Sequence, residues 1–289
     1  DIRVILNLTF EEAAFGCEKD VKLNLTSECS KCKGKGGFNE STCRTCGGAG
    51  KVLEQAIAAA LKAEAEMAAL KPFQKQKILL HCVKRFNELR DELTEILIAE
   101  GGKPRMAASA EVERLINTFQ LAADAVTQLD EGRMLPLAVT AAAARYRGMV
   151  KYVPIGAVSL ISPFNFPLNL VAHKIAPAIA AGCPFVLKPA SLTPISALKI
   201  AQVLAETDLP KGAWSILPCD RHAADILVTD DRFKMLSFTG SDQVGWDMKA
   251  RAGRKKVTLE LGGNAAVLIE ADAVIDDALI DRLIGAAYA

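Results

Sequence analysis

The chain has 289 residues, enough for one large domain or two ordinary ones, with the apolar fraction of a protein that buries a sizeable core. Its net charge of +1 gives no global electrostatic case for nucleic acid or a membrane surface. No apolar run is long enough to span a bilayer, and Asp1-Ile2-Arg3 does not read as a signal peptide.

Residues 1–26 alternate as strands do, with Ile2, Val4, Leu6 and Leu8 on one face and Val21, Leu23 and Leu25 on another. Phe10 to Gly16 between them reads as a short helical turn closed by glycine. The chain's cysteines are unevenly placed. Cys17, Cys29, Cys32, Cys43 and Cys46 crowd the start, and only Cys82, Cys183 and Cys219 fall in the rest. That clustering argues against a disulfide framework and for a local metal-type motif in a reducing, cytoplasmic setting. Cys17 has no partner nearby and reads as a small apolar residue.

The crowded cysteines form C-x-x-C-x-G-x-G twice, at Cys29 to Gly36 and Cys43 to Gly50. Two thiolates at this spacing grip one ion from a tight knuckle, whose left-handed backbone the glycines permit. With Leu8-Thr9-Phe10-Glu11-Glu12-Ala13, the segment resembles the substrate-binding and zinc-finger region of DnaJ-type co-chaperones. That resemblance implies zinc and an unfolded polypeptide partner for residues 1–52. Yet the family has four such motifs, paired around two zinc ions, and this sequence shows two. Both readings stand at this point: one tetrahedral zinc site on Cys29, Cys32, Cys43 and Cys46, or a fragment with free thiols.

From Val52 the pattern turns helical. One helix is expected to Leu70, a second from Pro72 to Glu100, and a third over about 106–129. Cys82 and His81 in the second read as structural. Ala143 to Pro154 suggests a two-stranded hairpin. Strands are then expected at 156–161, 184–188, 214–217, 234–238, 257–261 and 265–269. Helices are expected at 168–181, 194–206, 221–228, 241–251 and 273–288. This alternation predicts an α/β fold: a doubly wound, Rossmann-like parallel sheet with N-terminal helices, preceded by the small β and cysteine-rich segment. Two domains are expected, 1–52 and 53–289.

Four features of the second domain carry chemistry. Asn165, between Pro163 and Pro167, is expected to be a buried, rigidly held amide suited to stabilising a developing oxyanion. Lys188 ends a buried strand, where it meets a ribose hydroxyl or a phosphate. Phe238-Thr239-Gly240-Ser241, with Gly245, is a strand-to-helix turn whose amides make a pyrophosphate seat. Glu260, in Leu259-Glu260-Leu261-Gly262-Gly263-Asn264, is a carboxylate in an apolar strand, which must be paired or have its pKa raised as a general base requires. Taken singly, each has an ordinary structural explanation.

Together and in this order they resemble the aldehyde dehydrogenase superfamily, over residues 52–289. Ser162 to Asn169, Ala180 to Gly182, Val186 to Ala190, Phe238 to Ser241 and Leu259 to Asn264 carry the resemblance. It implies NAD(P)-dependent oxidation of an aldehyde to a carboxylic acid, and a homo-oligomer for the complete enzyme. It makes Asn165 the oxyanion donor and Glu260 the base that activates thiol or water. Ser162, Phe164, Lys188, Ser191, Gly240, Ser241 and Gly245 become the cofactor-binding set. Where the family often has a glutamate gripping both ribose hydroxyls, this chain has Ser191, so NADP is expected to be accepted alongside NAD. The family's nucleophilic cysteine has no counterpart up to Ala289. Cys183 reads as core and Cys219 matches no nucleophile position. Cofactor binding without turnover is therefore expected of a composite chain, joined near residues 50–53.

Overall fold

The structure, a computed structural model, describes residues 37–38, 41–42 and 49–288. Cys29, Cys32, Cys43 and Cys46, with Cys17 and the strand pattern of residues 1–26, lie outside the described residues. The first described elements are two short antiparallel strands, β1 (Gly37–Phe38) and β2 (Ser41–Thr42).

The helical region is more finely divided than periodicity predicts. The first expected helix is two, α1 (Ala49–Lys62) and α2 (Glu64–Ala69), parted at Ala63. Lys71 is extended, as a residue before proline tends to be, and Pro72 opens α3 (Pro72–Glu88) at a position where its missing N–H is no loss. The second expected helix breaks at Leu89, before α4 (Arg90–Gly101). Close to that break, the Asn87 side chain donates to the Val83 carbonyl at 2.9 Å, a local bond that competes with the helix ladder. Gly102, at φ 66, ends α4, and α5 (Arg105–Glu131) follows. Gly132, at φ 62, then turns the chain into β3 (Arg133–Leu135), and a Cβ there would lie 2.5 Å from the Val150 carbonyl oxygen.

β3 pairs antiparallel with β4 (Gly148–Val150). This corrects the hairpin expected within 143–154. Only its second strand falls there, and residues 136–147 run between the two. The alternation of Tyr146, Met149 and Tyr152 misled because all three are exposed.

The sheet itself is a doubly wound one. Its five parallel strands lie in the order β7-β6-β5-β8-β9. They are β5 (Val158–Ile161), β6 (Phe185–Lys188), β7 (Trp214–Ile216), β8 (Met235–Gly240) and β9 (Lys256–Leu261). The crossovers are α6 (Asn169–Ala181), α7 (Pro194–Ala205), α8 (Asp225–Thr229) and α9 (Asp242–Arg251). Helix α8 starts later than the pattern suggests, after a turn at 221–224. The expected strand at 265–269 is irregular and exposed, and it pairs with no strand among the described residues. α10 (Asp277–Tyr288) follows.

Strands β5 and β6 are covered on both faces, which is why they read as continuous apolar runs. Val158, Leu160, Phe185 and Leu187 pack with α3, α5, α6 and α7. Ile161, Val186, Leu236 and Phe238 pack on the other side, with Leu53 and Ile57 of α1 and Leu227 and Val228 of α8. The direction of winding reverses at β5, which has β6 on one side and β8 on the other. Ligands of open α/β sheets bind at such a switch point, outside the carboxyl ends of the strands.

Phe86 and Phe119 meet edge to face in the helical core, with ring centroids 5.0 Å apart, and both are fully buried. Replacing Phe119 by alanine should lower unfolding free energy by about 3–5 kcal/mol. Urea denaturation followed by circular dichroism measures this, and a loss near zero would mean α3 and α5 do not share a core.

Candidate active site at the carboxyl edge of the sheet

Register assembles the site. Ile161 lies opposite both Lys188 and Phe238, so β5 and β6 end together, while β8 and β9 run on side by side through Thr239 opposite Glu260 and Gly240 opposite Leu261. Three main-chain bonds extend the ladder past the strand ends: Ser162 N to the Lys188 carbonyl at 3.2 Å, Gly262 N to Gly240 at 3.1 Å, and Leu217 N to Leu187 at 2.8 Å. The Asn165 loop, Lys188, the Gly240 turn and Glu260 thereby share an edge.

Asn165 sits on the loop from β5 to α6 and is exposed, not buried as the flanking prolines suggest. At the base of that loop, Ser162 Oγ is buried without a hydrogen-bond partner. Lys188 is half-buried; its Nζ donates to the Pro189 carbonyl at 3.0 Å, and desolvation lowers its pKa. Ser191 is exposed on the next turn. That turn is braced by Glu100 of α4, whose carboxylate accepts from the Ile195 and Ser196 amides and from Ser196 Oγ at the start of α7.

The turn after β8 needs its glycines. A Cβ at Gly240 would lie 2.5 Å from the Phe238 ring, and one at Gly245 would lie 2.3 Å from Leu261. Gly245 lets α9 approach the sheet, and the first N–H groups of α9 have no partner within the helix. Those amides suit an anion at the switch point.

Glu260 corrects the expectation of a carboxylate enclosed by its strand. Exposed and half-buried residues alternate along β9, and Glu260 is on the open face. It is paired all the same, accepting from Thr239 Oγ1 at 2.8 Å. Behind it lies a residue that the sequence reading passed over. Lys174 of α6 is 4% exposed, and its Nζ donates to Ser237 Oγ and Thr239 Oγ1, both at 2.9 Å. Burial pulls its pKa down from 10.5 to about 8, against the opposing pull of Glu260. The signal was there: Lys174 falls on the same helical stripe as buried Val171 and Ala178. Thr239 thus bridges carboxylate and amine, a path of two hydrogen bonds by which a proton can move between the edge and the interior.

The described thiols do not resemble an activated nucleophile. Cys82 is buried, with its pKa pushed up to about 12, and desolvation also raises that of buried Cys183. Cys219, half-buried near Lys188, is pushed up to about 11 by desolvation. Among the described residues no group of three or more His, Cys, Asp or Glu side chains is placed to hold a metal ion.

Comparison with known proteins agrees with this geometry. Residues 39–289 match the aldehyde dehydrogenase family. The 3-sulfolactaldehyde dehydrogenase of Priestia megaterium is 37% identical over 208 residues, covering 72% of this chain and 43% of that protein. The crystal structure of aldehyde dehydrogenase 21 from Physcomitrella patens, in complex with the reaction product succinate, superposes with a TM-score of 0.73 at 51% identity. That likeness covers 75% of this chain and 45% of the other. Glyceraldehyde-3-phosphate dehydrogenase GapN from Methanocaldococcus jannaschii, complexed with NADP, gives 0.66 at 35% identity, over 74% and 46%. The chain spans less than half the length of each of these three.

The buried amine makes a signed prediction. A lysine whose folded pKa lies below its unfolded value disfavours folding while protonated, so its penalty lifts as pH rises from about 8 towards 10.5. Stability from this group should therefore climb across that window, and Lys174→Met should flatten the climb. Denaturant midpoints at stepped pH measure it, and parallel profiles for the two proteins would refute the assignment.

Proposed function

The chain belongs to the aldehyde dehydrogenase family, and on that premise we propose that it binds NAD or NADP along the carboxyl edge of the sheet. The groups it holds there serve oxidation of an aldehyde to a carboxylic acid. The observation that supports this reading most is that the carboxyl ends of the neighbouring strands β6, β5, β8 and β9 lie along one edge, which carries the Asn165 loop, Lys188, the Gly240 turn and Glu260.

The edge fits a dinucleotide. Gly240 and Gly245 carry no side chain, and one added at either would press on Phe238 or Leu261, so bare backbone stands where a pyrophosphate would approach. Ser162 Oγ offers a buried hydroxyl with no partner of its own, and Phe164 lies beside it in sequence. Lys188 and Ser191 hold the adenosine ribose, and Ser241 with the α9 amides holds the phosphates. A nicotinamide held on this edge would supply the hydride acceptor that aldehyde oxidation needs.

Asn165 donates from its carboxamide to the aldehyde oxygen as negative charge develops there. Glu260 takes the proton of the attacking group, water at the hydrolytic stage, and Thr239 links that carboxylate to Lys174. The thiols of Cys82, Cys183 and Cys219 are assigned no part, since each is held in its protonated form. Aldehyde-dependent formation of reduced cofactor that is lost on replacing any of these three would overturn that exclusion.

Ser191 sets the cofactor preference. A carboxylate at this position would repel a 2′-phosphate, and serine does not. We expect comparable dissociation constants for NADP and NAD, and Ser191→Glu should weaken NADP by about tenfold or more while leaving NAD within about threefold. Fluorescence titration of both proteins with both cofactors checks this. A strong NAD preference in the unmodified chain would sink the specificity reading, and failure to bind either cofactor would sink the function.

A further inference from the structure

We propose that Glu111, a residue of α5 that touches neither cofactor nor substrate, sets the position of Asn165 by clamping the loop and the helix start that follow it. This rests on the reading of Asn165 as the oxyanion donor.

The side chain of Glu111 is fully buried. Its Oε1 accepts from the main-chain N–H of Leu168 at 2.9 Å and of Asn169 at 3.1 Å. Its Oε2 accepts from Lys103 Nζ. That ammonium also lies 3.8 Å from the centre of the Phe166 ring. Residue 166 is thus held by Lys103 and residues 168 and 169 by Glu111, and Asn165 immediately precedes the first of them.

The loop has no means of doing this for itself. Helix starts are ordinarily capped by Ser, Thr, Asp or Asn at the residue before the helix. Here that residue is Leu168, which is fully buried in the core and contributes no side-chain cap. A polar residue there would give up core packing, so the acceptor must come from another element. A buried carboxylate persists only when its charge and lone pairs are answered. Two amides and one ammonium answer those of Glu111, and together they fix its position closely. Misplacement of a reacting group by about 1 Å can cost a hundredfold in rate, so a clamp on the helix start that closes this short loop bears on the oxyanion donor within it.

The test compares the unmodified chain with Glu111→Leu, similar in bulk, and with Glu111→Gln, whose carbonyl oxygen can still accept from both amides. Amide exchange and proton shifts are read by NMR without ligand. In Glu111→Leu the Leu168 and Asn169 amides should exchange at least about tenfold faster, and their proton signals should move upfield. The Asn165 carboxamide should become more mobile, while β5 and β6 amides keep their rates. Glu111→Gln should restore most of the protection. Unchanged exchange at Leu168 and Asn169 in Glu111→Leu, or an equal rise throughout β5 and β6, would show that Glu111 positions nothing in particular. Should the leucine variant not fold, Lys103→Met decides: loosening at residues 165–169 alone supports the clamp, and no change there overturns it. Cofactor affinity of the unmodified chain is measured alongside. Its absence would remove the proposed function but leave the exchange result at Leu168 and Asn169 fully readable.

Discussion

A helix start drawn into a fold needs acceptors for its first N–H groups, and two lie beside this site, that of α6 buried and that of α7 partly exposed. Both are served by carboxylates from the helical layer: Glu111 at α6 and Glu100 at α7. At α7 the local cap residue, Thr193, makes no side-chain bond to the helix, and its hydroxyl is buried without a partner. Hydrogen bonds to a charged group are each worth about 1.5–3 kcal/mol, but burying the charge gives back several kcal/mol. What remains is geometry more than stability. Helices α4 and α5 are therefore a part of the site, because the two loops carrying Asn165 and Ser191 run into helices whose starts they hold.

The same logic of answered polar groups runs through the interior of the switch point. Lys174 is tolerated in a helix of small apolar residues because two hydroxyls on β8 receive its protons. Thr239 then connects that amine to Glu260 on the open face of β9. One face of β9 is packed by Val244 and Met248 of α9 on Val257, Leu259 and Leu261. The other carries Thr258 and Glu260 into the open. A carboxylate at the surface and an amine in the interior are thus joined through one hydroxyl.

The sheet was legible in the sequence because apolar runs buried on both faces, such as Val158 to Ile161, have few other readings once glycines and prolines punctuate them. The site was legible only as an ordered set, since Asn165, Lys188, Gly240 and Glu260 each have a plain structural explanation alone. What sequence did not disclose was long-range in origin. The Leu89 break has no glycine or proline to announce it. Glu111 is one acidic residue among many on α5, and its role depends on Leu168, far along the chain. The run at 265–269 has strand-forming residues but joins no strand among the described residues, and pairing is not written in the run itself. Glu260 looked enclosed because Leu259 and Leu261 flank it, yet on an edge strand alternate residues face outward.

The order of strands also has a meaning for how the chain assembles. No strand of the five pairs with its partner through a hairpin; β5 meets β6 only after α6, and meets β8 only after β6, α7, β7 and α8 have been traversed. Closing such loops costs chain entropy before any contact rewards it, and folds built this way reach the native state slowly. The helices α3, α4 and α5, rich in local contacts, carry no such delay. The pairing of Val158 with Met235 joins the strands most distant in sequence within the sheet, so the crevice at its edge depends on the contact whose loop closure costs the most chain entropy.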